Sequence, residues 1–149
     1  MANTYVNNIV HIVFHTKAKT SDVLDEDLLR LHQYIGGIVK GTGAVLIAVG
    51  GMPDHVHLLV SLPKTMTLSD FVRMVKAESS RWIKTLNTHH YGTFSWQEGY
   101  GAFSVSASVV PRVVNYIRNQ AAHHKGKSFM DEYKSFLQAY GIDYDERYL

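Results

Sequence analysis

The chain contains no cysteine, which removes disulfides, thiolate nucleophiles, Cys-based zinc sites and iron–sulfur clusters together. Any metal it holds must be met by histidine, carboxylate, amide or water. Long apolar runs are also missing: the longest, residues 44–49, is far too short to span a membrane. The opening residues 1–8 lack the charged-then-apolar layout of a secretory leader, so a soluble cytoplasmic protein is expected. Charge of one sign is scarce, because 15 Lys and Arg against 13 Asp and Glu leave only +2. Net charge therefore makes no blanket case for nucleic-acid binding. No repeat, low-complexity tract or Pro/Gly/Ser linker divides the 149 residues, so one domain over 1–149 is expected. At 46% hydrophobic and 19% charged, the composition excludes a disordered chain.

What is present is distributed unevenly. Acidic residues gather in 22–27 and 131–146, whereas Lys64, Arg73, Lys76, Arg81, Lys84, Arg112, Arg118, Lys125 and Lys127 occupy the middle and later chain. Nine histidines are the odder feature, since without cysteine they are the main transition-metal ligands available.

Residues 5–15 alternate, with Val6, Val10, Ile12 and Phe14 on one side and His11 and His15 on the polar side, as in a half-buried strand. Residues 25–40 place Leu28, Leu31, Ile35, Ile38 and Val39 at helical spacing and stop at Gly41 to Gly43. Two apolar runs, 44–49 and 55–62, flank a Gly50-Gly51-Met52-Pro53-Asp54 turn and predict a hairpin. Thr67 caps a long helix with Arg73, Lys76, Arg81 and Lys84 on its outer face. Residues 94–106 predict a last strand bent around Gly99 and Gly101. Pro111 then opens a helix running to about His124, and 128–140 forms a final one. The order β-α-β-β-α-β is that of an α+β, ferredoxin-like split βαβ sheet, mainly antiparallel with helices on one face. The closing helices follow it, the first of them carrying Tyr116.

His55-Val56-His57 begins a strand, so both imidazoles leave one face while Val56 enters the core. Alone the pair reads first as two exposed or hydrogen-bonded strand histidines, and second as half a metal site. Tyr116 and Gln120, four apart on one helix, are stacked neighbours. They read equally as a boundary aromatic with a surface amide, or as a phenol beside a metal, which is a credible nucleophile toward phosphorus.

Taken together, residues 51–60 (GMPDHVHLLV), 96–100 (WQEGY) and 116–124 (YIRNQAAHH) resemble the single-tyrosine HUH transposases of the smallest bacterial insertion sequences, the insertion-sequence-two-hundred-like transposases. The resemblance extends to the closing 141–148 (GIDYDERY). It implies metal ligation by His55, His57 and Gln120, and nucleophilic attack by Tyr116. It further implies Mg2+ or Mn2+ as cofactor and cleavage of single-stranded DNA at element ends through a 5′-phosphotyrosine. Subterminal hairpins would be the recognised DNA, and a homodimer would complete each site with the partner's tyrosine helix.

Asp54 is placed either as an acceptor orienting an imidazole or as a turn former. His123 and His124 are candidates for the surroundings of the metal or the phosphate, or for the helix C-terminal dipole. His11 and His15, on the polar face of the first strand, read first as solvated and second as side chains that reach the site or bound DNA. Arg73, Lys76, Arg81, Lys84, Arg112 and Arg118 are candidate DNA contacts, with a plain solvated helix face as the alternative for the first four. Trp96, Tyr100 and Phe103 read first as core and second as base-stacking platforms. The competing function is a catalytically silent or domesticated single-strand or hairpin binder of the same fold, which has no need of His55, His57, Tyr116 and Gln120 together. A phosphoesterase with paired His-x-Thr motifs is excluded by their absence.

Overall fold

The computed structural model describes residues 3–149; Met1 and Ala2, the start of the stretch read for a secretory leader, lie outside them. Four strands, β1 (Ile9–His15), β2 (Val45–Met52), β3 (His55–Ser61) and β4 (Gly101–Ser104), form one sheet in the order β2-β3-β1-β4 with every pairing antiparallel. That is the split βαβ arrangement expected. Helices α1 (Asp25–Gly41) and α2 (Leu68–Leu86) cover one face, where Val10, Ile12, Phe14, Val56, Leu58 and Val60 meet Leu31, Ile35, Phe71 and Val75. Thr67 accepts from the Asp70 amide at the start of α2, the predicted cap. A short α3 (Thr88–Tyr91), not anticipated from sequence, buries Tyr91. Its hydroxyl accepts from the Leu24 amide at the start of α1 (2.9 Å) and donates to Asp27 (2.7 Å).

The sheet's second face is covered too. It carries His11, Val13, His15, His55, His57 and Leu59, the set that cross-strand pairing places together. Over it lie α4 (Val110–Arg118), α5 (Gln120–His123) and α6 (Phe129–Ala139). The polar side of the first strand is therefore interior, and His11, expected in solvent, is 3% exposed. Two glycines let the helices come this close. A Cβ on Gly50 would overlap the carbonyl oxygen of Ile117, and one on Gly101 would stand 2.7 Å from Cε1 of Tyr133. Ile117 is fully buried against Ala48 and Leu59, a burial that stabilises by about 1.5–3 kcal/mol and anchors the helix that holds Tyr116.

Several boundaries differ from those the sequence predicts. The first strand starts at Ile9 rather than Tyr5, because its partners end opposite Ile9 and Val10 at Ser61 and Ser104. Strand β2 runs on to Met52, so the expected five-residue turn shrinks to Pro53-Asp54 between the paired Met52 and His55. The long last strand contracts to Gly101–Ser104. Gly99, at φ +81°, bends the chain before it, and Trp96 touches the sheet through one isolated bridge to Thr16. The single helix expected from Pro111 to His124 breaks at Asn119, whose side-chain amide donates to the Asn115 carbonyl (2.8 Å) and competes with the helical ladder. No described helix is long and apolar enough to cross a membrane.

Candidate active site

Two residues apart on β3, His55 and His57 point to the same face and are both buried, at 1% and 0% exposure. Asp54, in the hairpin turn, accepts from Nδ1 of His55 at 2.7 Å. The tautomer so fixed turns the lone pair of Nε2 toward Oε1 of Gln120, 2.9 Å away, and Oε1 of Glu132, 3.6 Å away. Three lone-pair atoms facing one another are a donor set that a cation completes. One ligand atom each from His55, His57 and Glu132 lies within 4.8 Å of the other two.

His57 is held from both sides. Its Nδ1 meets Nε2 of His11 at 2.8 Å and its Nε2 meets Oε1 of Glu132 at 2.9 Å. Burial holds the His57 imidazole below its ordinary range, against the pull of Glu132. Burial, then His57, push His11 down to about 3, so both rings are neutral at physiological pH.

Glu132 gathers the rest. Its carboxylate accepts from the hydroxyl of Tyr116 and from Nε2 of Gln120 (3.3 Å), and lies 3.3 Å from Nε2 of both His123 and His124. Burial alone raises a carboxyl, but the hydrogen bond from His57 and then that from Tyr116 outweigh it and hold Glu132 down at about 2. The Tyr116 hydroxyl is pushed the other way, well above the phenol range, by burial and then by Glu132. The resting site thus pairs an ionised Glu132 with a protonated Tyr116. His123 Nε2 also stands 3.1 Å from the Tyr116 oxygen, and His124 Nε2 3.0 Å from Oε1 of Gln120.

The Tyr116 ring stands edge-on to the His57 imidazole, with centroids 5.7 Å apart. Tyr116 and Gln120 sit on opposite sides of the Asn119 break, with Gln120 Nε2 3.5 Å from the Tyr116 carbonyl. The basic face of α2 lies elsewhere, because α2 packs on the opposite side of the sheet. On it Lys76 is not free: its ammonium donates to the carbonyls of Gln97 and Gly99. Arg73 pairs with Asp70 at 3.4 Å, Arg81 is exposed and Lys84 half-buried. Arg112 and Arg118 are exposed on α4.

Glu132 is the residue the sequence reading missed. It interrupts the apolar stripe of Phe129, Tyr133 and Phe136 on an amphipathic helix, and a carboxylate on that stripe is the available signal. Trp96 and Phe103 are buried as read, and Tyr100 is packed against the core.

Most of the chain is similar to known proteins. The family model described as "Transposase IS200 like" matches residues 4–120. The ISDra2 transposase TnpA of Deinococcus radiodurans is 27% identical over 114 residues, covering 74% of this chain and 81% of the relative. A solved structure from Deinococcus radiodurans R1, described as a transposase, has 29% identity and a TM-score of 0.63 over 80% of this chain and 96% of that one. The REP-associated tyrosine transposase bound to a REP hairpin has 16% identity and a TM-score of 0.61, covering 84% and 73%, and shares the fold.

Proposed function

Since the chain belongs to the IS200-like transposase family, we propose that it cleaves and rejoins single-stranded DNA at insertion-sequence ends, with Tyr116 as the nucleophile. The Tyr116 oxygen bonds to phosphorus as the P–O3′ bond breaks, giving a 5′-phosphotyrosine and a free 3′-hydroxyl. The phenolic proton leaves toward Oε2 of Glu132 and ends on the departing 3′ oxygen. One phosphoester replaces another, so a 3′-hydroxyl rejoins the strand by the reverse exchange and no nucleotide cofactor is consumed. The observation that carries this reading is the convergence of Tyr116, Glu132, His57 and Gln120 inside a single chain.

Mg2+ or Mn2+ fits the donor set. His55, His57 and Gln120 would hold it, and the Glu132 carboxylate adds the oxygen ligand that hard cations favour. When bound, such an ion polarises the phosphate and stabilises the leaving oxygen. Around it, Asp54 and His11 fix the two imidazoles in orientation, while Glu132 and His123 aim the Tyr116 hydroxyl.

Hairpin-bearing single strands are the substrate class, as the hairpin bound by the REP-associated relative suggests. Arg112 and Arg118 beside the tyrosine are the nearer phosphate contacts, and Arg73, Lys76, Arg81 and Lys84 more distant ones. The homodimer that the resemblance implies would complete each site with the partner's tyrosine helix, and its second copy would hold the second DNA end. The test is incubation with single-stranded DNA from the genomic flanks of the gene, with Mn2+, followed by denaturing electrophoresis. A protein–DNA adduct that disappears in Tyr116→Phe is expected. An adduct that persists moves the nucleophile elsewhere, and binding without any adduct favours the silent hairpin binder.

A further inference from the structure

The proposed chemistry brings an anionic phosphodiester to Tyr116, so a protein cation that lines the same cavity is placed to receive it. Tyr116 lines a cavity of about 260 Å3 together with His123, Lys127, Glu132, Ser135 and Phe136. Lys127 is the one Lys or Arg side chain lining it among the described residues. Its ammonium rests on a neutral group, the Ser135 hydroxyl at 3.1 Å, and forms no ion pair among the described residues. Its backbone is held on the C-terminal side. His124 Nδ1 donates to the Lys127 carbonyl at 2.6 Å, and Ser128, the next residue, caps α6 by accepting from the Asp131 amide. The side chain is half-buried, whereas neighbouring Lys125 is exposed and does not line the cavity.

We propose that Lys127 is the side chain that receives the non-bridging oxygens of the scissile phosphodiester. The inference rests on Tyr116 being the nucleophile. It assigns substrate binding to a segment beyond residues 4–120, the part of the chain matched by the family model. An ammonium held by a neutral hydroxyl exchanges that bond for a charge-assisted one to phosphate without breaking an ion pair. The exposed Arg112 and Arg118 do not line this cavity and serve the flanking phosphates.

The test uses the full chain in the Tyr116→Phe background and two oligonucleotides. One is a strand on which the wild type forms an adduct; the other is identical but carries a neutral methylphosphonate at the cleaved position. On the first, Lys127→Ala is expected to weaken binding about tenfold and to reduce the salt slope by about one, while Lys127→Arg keeps most of the affinity. On the methylphosphonate strand, the Ala variant and its Lys127 parent should bind alike. Equal loss on both strands, or no loss on either, overturns the assignment. If no strand yields an adduct, the nucleophile reading fails separately. The subsite is then judged by acetylating lysines with and without a thymidine oligonucleotide: protection of Lys127 above Lys125 supports it, and equal labelling rejects it.

Discussion

His11 on β1 and His57 on β3 stack with ring centroids 5.0 Å apart and share a 2.8 Å hydrogen bond between Nε2 and Nδ1. The pair is buried and His11 has no approach to substrate of its own. Its consequence is that His57 presents Nε2 to Glu132 in a fixed orientation.

Replacing His11 by Ala should accordingly lower Mn2+ affinity by about 10- to 100-fold, the usual cost of removing the group that orients a ligating imidazole. Titration calorimetry reads this directly. His11→Gln, which can still offer a hydrogen bond to Nδ1, should recover part of the loss; unchanged affinity in the Ala variant would show that His57 needs no such support.

Glu132→Gln keeps the shape of the side chain and removes its charge. Mn2+ binding and adduct formation are both expected to fall by at least about tenfold, since a charged hydrogen-bonding and ligating group is lost from a buried cluster. The stabilisation of the wild type by Mn2+ in a melting experiment should shrink in parallel, because a ligand raises stability only as far as it binds the folded state.

Gly50→Ala tests how closely α4 must approach. The added methyl meets the backbone carbonyl of Ile117, which no rotamer change can move. A destabilisation of about 1–3 kcal/mol is expected, read as a lowered denaturant midpoint. Adduct formation should fall more than the folded fraction does, because the shifted element carries Tyr116.

Tyr91 supplies a pH dependence outside the site. Burial, and after it the nearby Asp27, push its hydroxyl up to about 12, against the hydrogen bond from Leu24. A pKa raised on folding gives stability that is present below the unfolded phenol value near 10 and is lost as pH rises through about 12. The wild type should therefore lose denaturant resistance between about pH 10 and 12 more steeply than Tyr91→Phe. At pH 7 that variant should be less stable by about 1–3 kcal/mol, with the Leu24 amide and Asp27 left short of a partner. Parallel alkaline curves would contradict the argument.

The strand order and the shared face of His55 and His57 were legible because period-two alternation and the hairpin turn are local properties of the chain. The cap at Thr67 and the helix end at Gly41 were local in the same way. His11 was not legible: alternation with apolar residues marks it as lying on the other face, but whether that face is wet depends on α4 to α6, far downstream. Glu132 was hidden for the converse reason, since acidic residues on helices are ordinarily solvated and only its position between Phe129 and Phe136 sets it apart. The break at Asn119 depends on one side-chain amide reaching back to Asn115, a competition that spacing alone does not decide.

The site's dependence on α6 also has a consequence in time. A chain leaving the ribosome presents both histidines and then Tyr116 before Glu132, which follows the tyrosine by 16 positions, roughly a second or more of synthesis. The nascent protein can thus pair its sheet and dock its tyrosine helix while the centre still lacks its carboxylate. On the proposed function, strand-breaking competence would arrive only with the last helix, and copies ending before Glu132 would leave single-stranded DNA uncut.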